Sequence, residues 1–277
     1  MDNNFKEKTI IITGGSEGVG AATARKFANA GANLVLVARS KKNLDLIAEE
    51  LWSITSVKTV AMDVSDTDAC TNLFKKAEFE FGNVHVLINN AGYHSRGLAE
   101  NIAIEDLGQM IDVNLRAPII LSRLAVPYLR QAGGGAIINV GSLAGRTPVP
   151  GSATYSASKA GLRAFTMALA SELRRSSIKL AVVSPGPIDT GFIMSNIDNV
   201  TDLTFSQPIS TADEVADEIM KLCVNEKQER SMPPISGFLT TMSYLFPGIG
   251  RVMRPIFERK GRRVKRKLKA QKSAASE

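Results

Sequence analysis

The chain has 277 residues, of which 44% are apolar and 22% are charged, a composition typical of a folded globular protein rather than a disordered or fibrous one. Its two cysteines are too few for a disulfide framework or a multi-cysteine metal site, which favours a reducing compartment. The net charge of +7 is uneven: residues 251–277 carry eleven of the 34 Lys/Arg and two of the 27 Asp/Glu, which gives +9 there and −2 for the remainder.

The beginning of the chain, Met1–Lys8, is polar and charged and has no apolar segment of the kind found in secretory signals. No run of about 18 uncharged apolar residues occurs anywhere in the sequence. We therefore expect neither a secretory signal nor a helix that spans a bilayer, and we predict a cytoplasmic protein.

Short apolar, β-rich runs alternate with stretches of helical periodicity. The runs are Thr9–Thr13, Leu34–Ala38, Lys58–Met62, Val84–Ile88, Ala136–Val140 and Lys179–Val183. The helical stretches are Val19–Ala30, Leu44–Trp52, Thr67–Phe81, Ile104–Arg130 and Thr154–Arg175, and glycines follow several of them. Continuous apolar strands separated by helices are typical of a parallel sheet covered on both faces. The pattern predicts an α/β chain with one doubly wound parallel sheet.

The first predicted strand leads into a glycine-rich turn, Thr13–Gly20, and then into a helix. Glycines at 14, 18 and 20 permit positive φ and remove Cβ atoms where a pyrophosphate approaches backbone N–H groups at a helix N-terminus. The spacing G-x-x-x-G-x-G differs from the commoner G-x-G-x-x-G fingerprint. The turn favours nucleotide binding, with a tight strand–helix turn as the alternative.

The end of the second predicted strand, where an acidic residue would bind a ribose 2′-hydroxyl, carries no carboxylate. Arg39 stands there instead, followed by Lys41 and Lys42, and a guanidinium can bind a 2′-phosphate with two hydrogen bonds. This favours NADP(H) over NAD(H). The alternative is a solvated arginine at a strand end, and Glu17 adds a negative charge that argues mildly against phosphate binding.

Tyr155 and Lys159 lie four residues apart at the start of a predicted helix and so share one face. An ammonium near a phenol favours the phenolate and lowers the pKa of the phenol, which makes it a better proton donor and acceptor near neutrality. The spacing alone is common. Ser142 follows a predicted strand at the edge where α/β sheets bind ligands, and Asn114 lies within a predicted helix as a core or a site residue.

Taken together, these features resemble the classical short-chain dehydrogenase/reductase family over roughly residues 5–225. The motifs are Thr13-Gly14-(x)3-Gly18-x-Gly20, Asp63-Val64, Asn89-Asn90-Ala91-Gly92, Asn114, Ser142, Tyr155-(x)3-Lys159 and Pro185-Gly186-x-Ile188-x-Thr190. The resemblance implies a single-domain Rossmann fold with about seven strands, a homodimer or homotetramer, and hydride transfer between NAD(P) and a carbonyl or alcohol.

By the same resemblance, Tyr155 is the general acid of carbonyl reduction, and Lys159 lowers its pKa and holds the nicotinamide ribose. Ser142 binds the substrate oxygen, and Asn114 anchors a water in a proton relay. The expected cofactor contacts are Gly14, Ser16, Gly18, Val19, Gly20, Arg39, Asp63, Val64, Asn90, Tyr155, Lys159, Ile188 and Thr190. Among these, Asp63 and Val64 border the adenine, Asn90 the adenosine ribose, and Ile188 and Thr190 the carboxamide and phosphate side.

The sequence thus predicts reduction of a lipophilic ketone with NADP(H). An NAD-linked alcohol dehydrogenase and a non-catalytic cofactor-binding scaffold are the alternatives. His85, inside an apolar strand, is expected in the core rather than as a ligand, and His94, after the Asn-Asn-Ala-Gly turn, is a lesser candidate for the substrate side. Neither has a metal-ligating partner at useful spacing, so no metal is expected.

The C-terminus departs from the family pattern. We divide the chain into a catalytic domain (1–230), an apolar substrate-side segment (231–250) and a basic amphipathic tail (251–277), in which Pro255 starts a helix that Gly261 weakens. Such a tail favours a peripheral anchor on the cytoplasmic face of an anionic membrane, similar to membrane-associated 3-ketodihydrosphingosine reductases. A solvated tail and a subunit contact are the alternatives. Nucleic acid is disfavoured because the tail lacks recurrent aromatic residues.

Overall fold

A computed structural model describes residues 3–194 and 197–274 of the chain. Within them, seven strands form one parallel sheet in the order β3-β2-β1-β4-β5-β6-β7, which confirms the predicted doubly wound α/β fold. The strands are β1 (Thr9–Thr13), β2 (Asn33–Ala38), β3 (Val57–Ala61), β4 (Val86–Asn89), β5 (Gly135–Val140), β6 (Ile178–Pro185) and β7 (Glu229–Met232). The first six lie within a few residues of the predicted runs.

Helices connect the strands and cover both faces of the sheet. They are α1 (Gly18–Asn29), α2 (Lys41–Leu51), α3 (Thr67–Phe81), α4 (Ile104–Ile111), α5 (Ala117–Gln131), α6 (Ala153–Glu172), α7 (Gly191–Met194), α8 (Ala212–Val224), α9 (Pro234–Leu245) and α10 (Pro247–Ala274). Their starts follow from capping chemistry: Asp66 caps α3, and Thr211 and Glu214 form a reciprocal capping box at α8. Gly82, at φ +79°, ends α3 as predicted.

The core lies on both sides of the sheet because alternate strand residues point to opposite faces. Ile10 and Ile12 of β1 join one buried cluster, which also includes Phe27 of α1 and Ile219 of α8. Ile11 joins the other cluster, on the side of α3, α5 and the end of α6. A strand buried on both faces is mostly apolar, which is why β1 and β2 contain the continuous apolar runs 10–12 and 34–38.

The helix predicted over Ile104–Arg130 is wrong as a single element. A π-helical turn, Asp112–Arg116, separates α4 from α5. The physical reason is Pro118, which has no N–H to donate to the carbonyl of Asn114 four residues earlier, so the regular hydrogen-bond pattern cannot continue.

The C-terminal helix α10 begins at Pro247 and contains Pro255, so the predicted start at Pro255 is wrong. Its residues Val264 and Leu268 pack against a small cluster formed by Ile193, Ile197, Val200 and Phe205. Gly261 permits this approach, because a Cβ there would lie 1.7 Å from the carbonyl oxygen of Asp202. The helix therefore lies against the body of the protein. The end of the predicted tail, residues 275–277, lies outside the described residues.

The search for membrane-spanning segments covered the described residues. None of their helices combines the length and apolar character needed to cross a bilayer.

Candidate active site

A cavity of about 1030 Å³ opens at the carboxyl ends of β1, β4, β5 and β6. This is the edge at which the chain crosses from one side of β1 to the other, the usual ligand position in open α/β sheets. Its wall contains most of the sequence-predicted site residues: Gly14, Ser16, Gly18, Val19, Arg39, Asp63, Val64, Asn90, Ser142, Tyr155, Lys159, Ile188 and Thr190. Gly20 and Asn114 lie behind that wall.

Hydrogen bonds from residues at the end of β4 hold the glycine turn in place. The side-chain amide of Asn90 donates to the carbonyls of Thr13 and Gly14, both at 3.0 Å. The backbone N–H groups of Asn90 and Ala91 donate to the Thr13 hydroxyl at 3.0 and 3.1 Å. Asn90 therefore fixes the turn, a role beyond the ribose contact expected from the sequence.

Two glycines of the turn are sterically required. Gly14 has φ +63°, and a Cβ on it would lie 2.9 Å from the Asn90 amide nitrogen. A Cβ on Gly20 would lie 1.9 Å from the carbonyl oxygen of Gly14. The close contact between the first turn of α1 and the loop thus depends on hydrogen at both positions.

The N-terminus of α1 lines this cavity through Glu17, Gly18 and Val19. Its capping residue, Glu17, is extended and its side chain makes no capping hydrogen bond. The first N–H groups of a helix carry partial positive charge and bind anions such as phosphate. Gly18, at φ +53°, sits beside Thr190, which brings the loop after β6 against the phosphate turn.

At the end of β2, the exposed Arg39 has neither an ion pair nor a side-chain hydrogen bond within the described residues. Lys41 forms an ion pair at 2.6 Å with Asp45, one turn further along α2. Burial pulls the pKa of Asp63 upward, but hydrogen bonds from Ser65 and the charge of Arg39 outweigh it, so this pKa lies below its ordinary value. Asp63 is thus a carboxylate near an available guanidinium.

The three side chains Ser142, Tyr155 and Lys159 meet on one wall of the cavity. Ser142 follows β5 and accepts from the N–H of Ala144 at 3.1 Å. Tyr155 and Lys159 occupy successive turns of α6, with the Lys159 nitrogen 5.9 Å from the centre of the Tyr155 ring. That nitrogen donates to the carbonyl of Val140 at 2.8 Å. The sequence spacing therefore brings the expected phenol and ammonium to one site.

The pKa of Tyr155 differs in direction from the expectation. Burial raises the pKa of Tyr155 above its ordinary value, against the opposing effects of a hydrogen bond from Ser142 and the positive charge of Arg96. Burial also lowers the pKa of Lys159 to about 8. The net shift is therefore upward, opposite to the lowering by Lys159 that the sequence predicted, and the positive charge that lowers the pKa of the phenol is that of Arg96.

Asn114 is fully buried behind the wall and its side chain is saturated. Its oxygen accepts from the N–H of Tyr93 at 2.8 Å, and its nitrogen donates to the Tyr93 carbonyl at 2.8 Å and to the Ser158 hydroxyl at 3.2 Å. Because Pro118 has no N–H, the Asn114 carbonyl lacks the donor that an α-helix would provide. The side chain thus fixes the loop after β4.

Three further side chains complete the site. The His94 ring stacks on the Tyr155 ring, with centres 4.0 Å apart and planes 10° from parallel. Phe192 lies 6.5 Å from Tyr155, and the Arg96 guanidinium carbon lies 5.2 Å from the centre of the Phe192 ring. Burial, together with the charges of Arg96 and Lys159, lowers the pKa of His94 to about 3, so this imidazole is neutral.

His94, a lesser candidate for the substrate side, lies on the cavity wall. Arg96 and Phe192 were missed by the sequence analysis. Their signal was their position after strand ends: Arg96 lies in the loop after β4, within a few residues of Gly92, and Phe192 lies in α7, two residues after Thr190. His85 accepts from the backbone N–H of Thr9 at 3.0 Å between strands, a packing role as expected. The described residues hold no group of three His, Cys, Asp or Glu close enough to bind a metal.

Comparison with known proteins adds to this geometry. The sequence profile of the family described as short chain dehydrogenase matches residues 8–201. An uncharacterised oxidoreductase of Staphylococcus epidermidis is 35% identical over 67% of this chain and 80% of its own length. Sulfoacetaldehyde reductase 2 of Chromohalobacter salexigens is 36% identical over 67% of this chain and 74% of its own length.

A crystal structure of a metagenomic short-chain oxidoreductase in complex with NADP superposes with a TM-score of 0.70. It is 30% identical in sequence, and the match covers 81% of this chain and 96% of that one. These comparisons do not support the finer resemblance to membrane-associated 3-ketodihydrosphingosine reductases.

Proposed function

The chain belongs to the short chain dehydrogenase family and is an NAD(P)-dependent oxidoreductase, and from this premise we propose that it reduces a lipophilic ketone with NADP(H). The observation that carries the proposal is the meeting of Ser142, Tyr155 and Lys159 on one wall of a cavity that also contains the glycine turn. Reduction is the favoured direction, and the relative from Chromohalobacter is itself named as a reductase.

The residues at the end of the cavity that contains the glycine turn fit the phosphates of a dinucleotide. The open N-terminus of α1 offers backbone donors for the pyrophosphate, and its glycine turn leaves no side chain over them. Arg39, unpaired at the end of β2, would bind the 2′-phosphate, and Asp63 and Val64 would border the adenine. The structural relative in complex with NADP agrees with this preference over NAD(H).

The mechanism follows from the hydrogen-bond donors at the end of the cavity that contains Ser142 and Tyr155. When bound, the nicotinamide supplies a hydride to the carbonyl carbon. Tyr155 donates its phenolic proton to the carbonyl oxygen, where Ser142 contributes a second hydrogen bond. Lys159, held by the carbonyl of Val140, carries its charge below pH about 8 and stabilises the phenolate that remains. In this proposal, the Asn114 carbonyl binds a water that returns a proton to the site.

The C-terminal helices bear on the size and polarity of the substrate. Leu239 and Met242 of α9 and Met253 and Phe257 of α10 line the cavity on the side away from the glycine turn. We therefore assign residues 231–250 as a substrate-side wall added to the catalytic domain 1–230, and we extend that wall into the first turns of the segment 251–277. Apolar walls of this kind suit an aliphatic chain.

The same helices support peripheral attachment to an anionic membrane. Phe238, Tyr244 and Leu245 of α9 and Val252 and Ile256 of α10 are between 58% and 76% exposed. A second set of exposed side chains on α10 is basic and makes no ion pair within the described residues: Arg259, Lys260, Arg263, Arg266 and Lys267. Exposed apolar groups beside unpaired cations are the composition of an interfacial helix.

Vesicle co-sedimentation tests this attachment. The full chain should bind vesicles that contain phosphatidylglycerol, and replacing the five unpaired cations by Gln should abolish binding at physiological salt. Equal binding of both proteins, or no binding of the full chain, would exclude the attachment. We also propose a homodimer or homotetramer, as in other family members, and light scattering on the purified chain measures this state.

The test of the proposed function is the loss of NADPH absorbance in the presence of a panel of ketones, from short to long-chain. Tyr155→Phe removes the proton donor and should abolish turnover while the Kd for NADPH stays nearly unchanged. The matched control is Tyr128→Phe, because Tyr128 stacks on Phe74 in the core, away from the cavity. Near-full turnover by Tyr155→Phe would refute the assignment. NADPH binding without any turnover would favour the scaffold, and turnover with NADH alone would favour the NAD-linked enzyme.

A further inference from the structure

The substrate end of the cavity, beyond Tyr155 and away from the glycine turn, contains an uncompensated positive charge. Arg96 projects there, over the ring of Phe192. Within the described residues, it has neither an ion pair nor a hydrogen bond. Burial lowers the pKa of Arg96, but a guanidinium remains charged under any ordinary condition. A partly buried cation is costly unless an anion faces it.

The part of the chain that the structure describes provides no such anion at this end of the cavity. Among the described residues, the acidic side chains that line the cavity are Glu17 and Asp63, and both lie at its cofactor end. The other arginine of the substrate end, Arg254, pairs with Glu258 at 2.7 Å. His94 beside Arg96 is neutral, so it does not change the sign of the charge.

We infer that Arg96 binds an anionic group of the substrate, so that the ketone is an oxo acid with an aliphatic chain or its sulfonate counterpart. This inference rests on the proposed function and specifies its substrate class. A guanidinium matches carboxylate and sulfonate oxygens with paired hydrogen bonds. The ring of Phe192, which the guanidinium faces, and the apolar side chains of Met253 and Phe257, which line the same cavity, would accommodate the remaining carbon chain.

The distances limit where the anionic group lies relative to the ketone. The Arg96 guanidinium carbon is 5.2 Å from the Phe192 centre, and that centre is 6.5 Å from the centre of the Tyr155 ring. The guanidinium and the phenol ring are therefore no further apart than the sum of these two distances. Since hydrogen bonds at both ends take up part of that span, the anionic group lies within a few bonds of the carbonyl.

The test compares matched substrates with and without the charge. The probes are 2-oxo-, 4-oxo- and 6-oxooctanoate, each against its methyl ester, and sulfoacetaldehyde against propanal. The wild-type protein should show a higher kcat/KM for at least one anion than for its neutral partner. Arg96→Gln should reduce this preference at least tenfold. The loss of a charge that lowers the pKa of Tyr155 changes kcat/KM for the anion and for its neutral partner alike, so the ratio of the two reports the contact with the anionic group. Arg130→Gln, the same substitution at an exposed position outside the cavity, is the matched control.

The results separate a carboxylate from a sulfonate and a binding role from a structural one. Preference for the oxo acids identifies a carboxylate, and preference for sulfoacetaldehyde alone identifies a sulfonate. No preference for any anion would overturn the inference, as would equal losses of kcat/KM for acid and ester in Arg96→Gln.

A second measurement does not depend on turnover. Calorimetry with octanoate and the NADP-loaded protein should give a Kd at least tenfold weaker for Arg96→Gln than for the wild type. An unchanged Kd, or no binding to either protein, would overturn the inference. Reduction of no ketone by the wild-type protein, with octanoate binding that requires Arg96, would refute the proposed function and retain the anion site.

Discussion

Glu229, at the start of β7, connects α6 to α9, which lines the cavity, through ion pairs with two arginines. Its carboxylate accepts from Arg163 at 2.7 and 2.8 Å and also from Arg146. Arg146 in turn donates to the hydroxyls of Thr240 and Thr241 on α9, at 3.3 and 2.8 Å. The Glu229 and Arg146 side chains are only 17% and 13% exposed. Glu229→Gln keeps the shape but leaves two guanidinium groups without a counter-charge.

The size of the effect follows from burial. Breaking a buried ion pair by removing one charge costs about 3–5 kcal/mol, and since Arg163 is 37% exposed we expect a loss of about 2–4 kcal/mol here. For a chain of this length, with an unfolding entropy of about 0.6 kcal/mol/K, that loss lowers Tm by about 3–7 °C. The chain provides a matched control: Glu50 accepts from Arg25 with the same two-bond geometry, but both side chains are 46% exposed. Glu50→Gln should cost less than about 1 kcal/mol.

The pH dependence gives a second signature. Burial raises the pKa of Glu229, but the hydrogen bonds from Arg163 and Arg146 outweigh it, so this pKa lies below its ordinary value of 4.5. A carboxylate with a depressed folded-state pKa stabilises the fold above its unfolded pKa, and this stability is lost as pH falls through the folded value. The difference in the free energy of unfolding between the wild type and Glu229→Gln should therefore be constant near neutral pH and should become smaller below pH 4.5.

Urea and thermal unfolding at pH 7 and at acid pH measure both signatures. Equal losses of stability in Glu229→Gln and Glu50→Gln would refute the argument from burial. A difference in stability between the wild type and Glu229→Gln that grows toward acid pH would refute the assigned direction of the pKa shift. Because Arg146 positions α9, Glu229→Gln should also raise KM for ketones more than it lowers kcat.

Two further predictions concern the cofactor end. Gly20→Ala would place a Cβ 1.9 Å from the Gly14 carbonyl oxygen, so NADPH binding measured by fluorescence should weaken at least a hundredfold, and unchanged binding would contradict the described turn. Arg39→Ala removes charge-assisted hydrogen bonds worth about 1.5–3 kcal/mol, so the ratio of kcat/KM for NADPH over NADH should fall about 10- to 100-fold. Lys41→Ala, whose lysine pairs with Asp45, should leave that ratio nearly unchanged, and an equal fall in both variants would contradict a specific role for Arg39.

Much of the fold could be predicted from the sequence because its signals are local. Buried parallel strands are mostly apolar on both faces, and the turn after β1 needs glycine where Gly14 and Gly20 meet. Tyr155 and Lys159 share a helix face by spacing alone. These constraints act over a few residues, so a pattern can show them.

The rest depends on contacts between distant segments. Arg96 and Phe192 are about a hundred residues apart in sequence, and their contact over the site exists only once α7 packs beside the loop after β4. The docking of α10 depends on the approach of Gly261 to Asp202, which a helical pattern does not encode. The pKa of Tyr155 likewise reflects its burial, which the spacing to Lys159 could not reveal.

The central claim is that this chain transfers a hydride from NADPH to a ketone protonated by Tyr155. The most direct measurement uses NADPH deuterated at C4 of the nicotinamide, in separate reactions with each of its two stereochemical forms. Mass spectrometry of the alcohol should find one deuterium on the former carbonyl carbon with one of the two forms, and no alcohol with Tyr155→Phe. Alcohol that carries no deuterium with either form, or labelled alcohol formed equally well by Tyr155→Phe, would contradict the account.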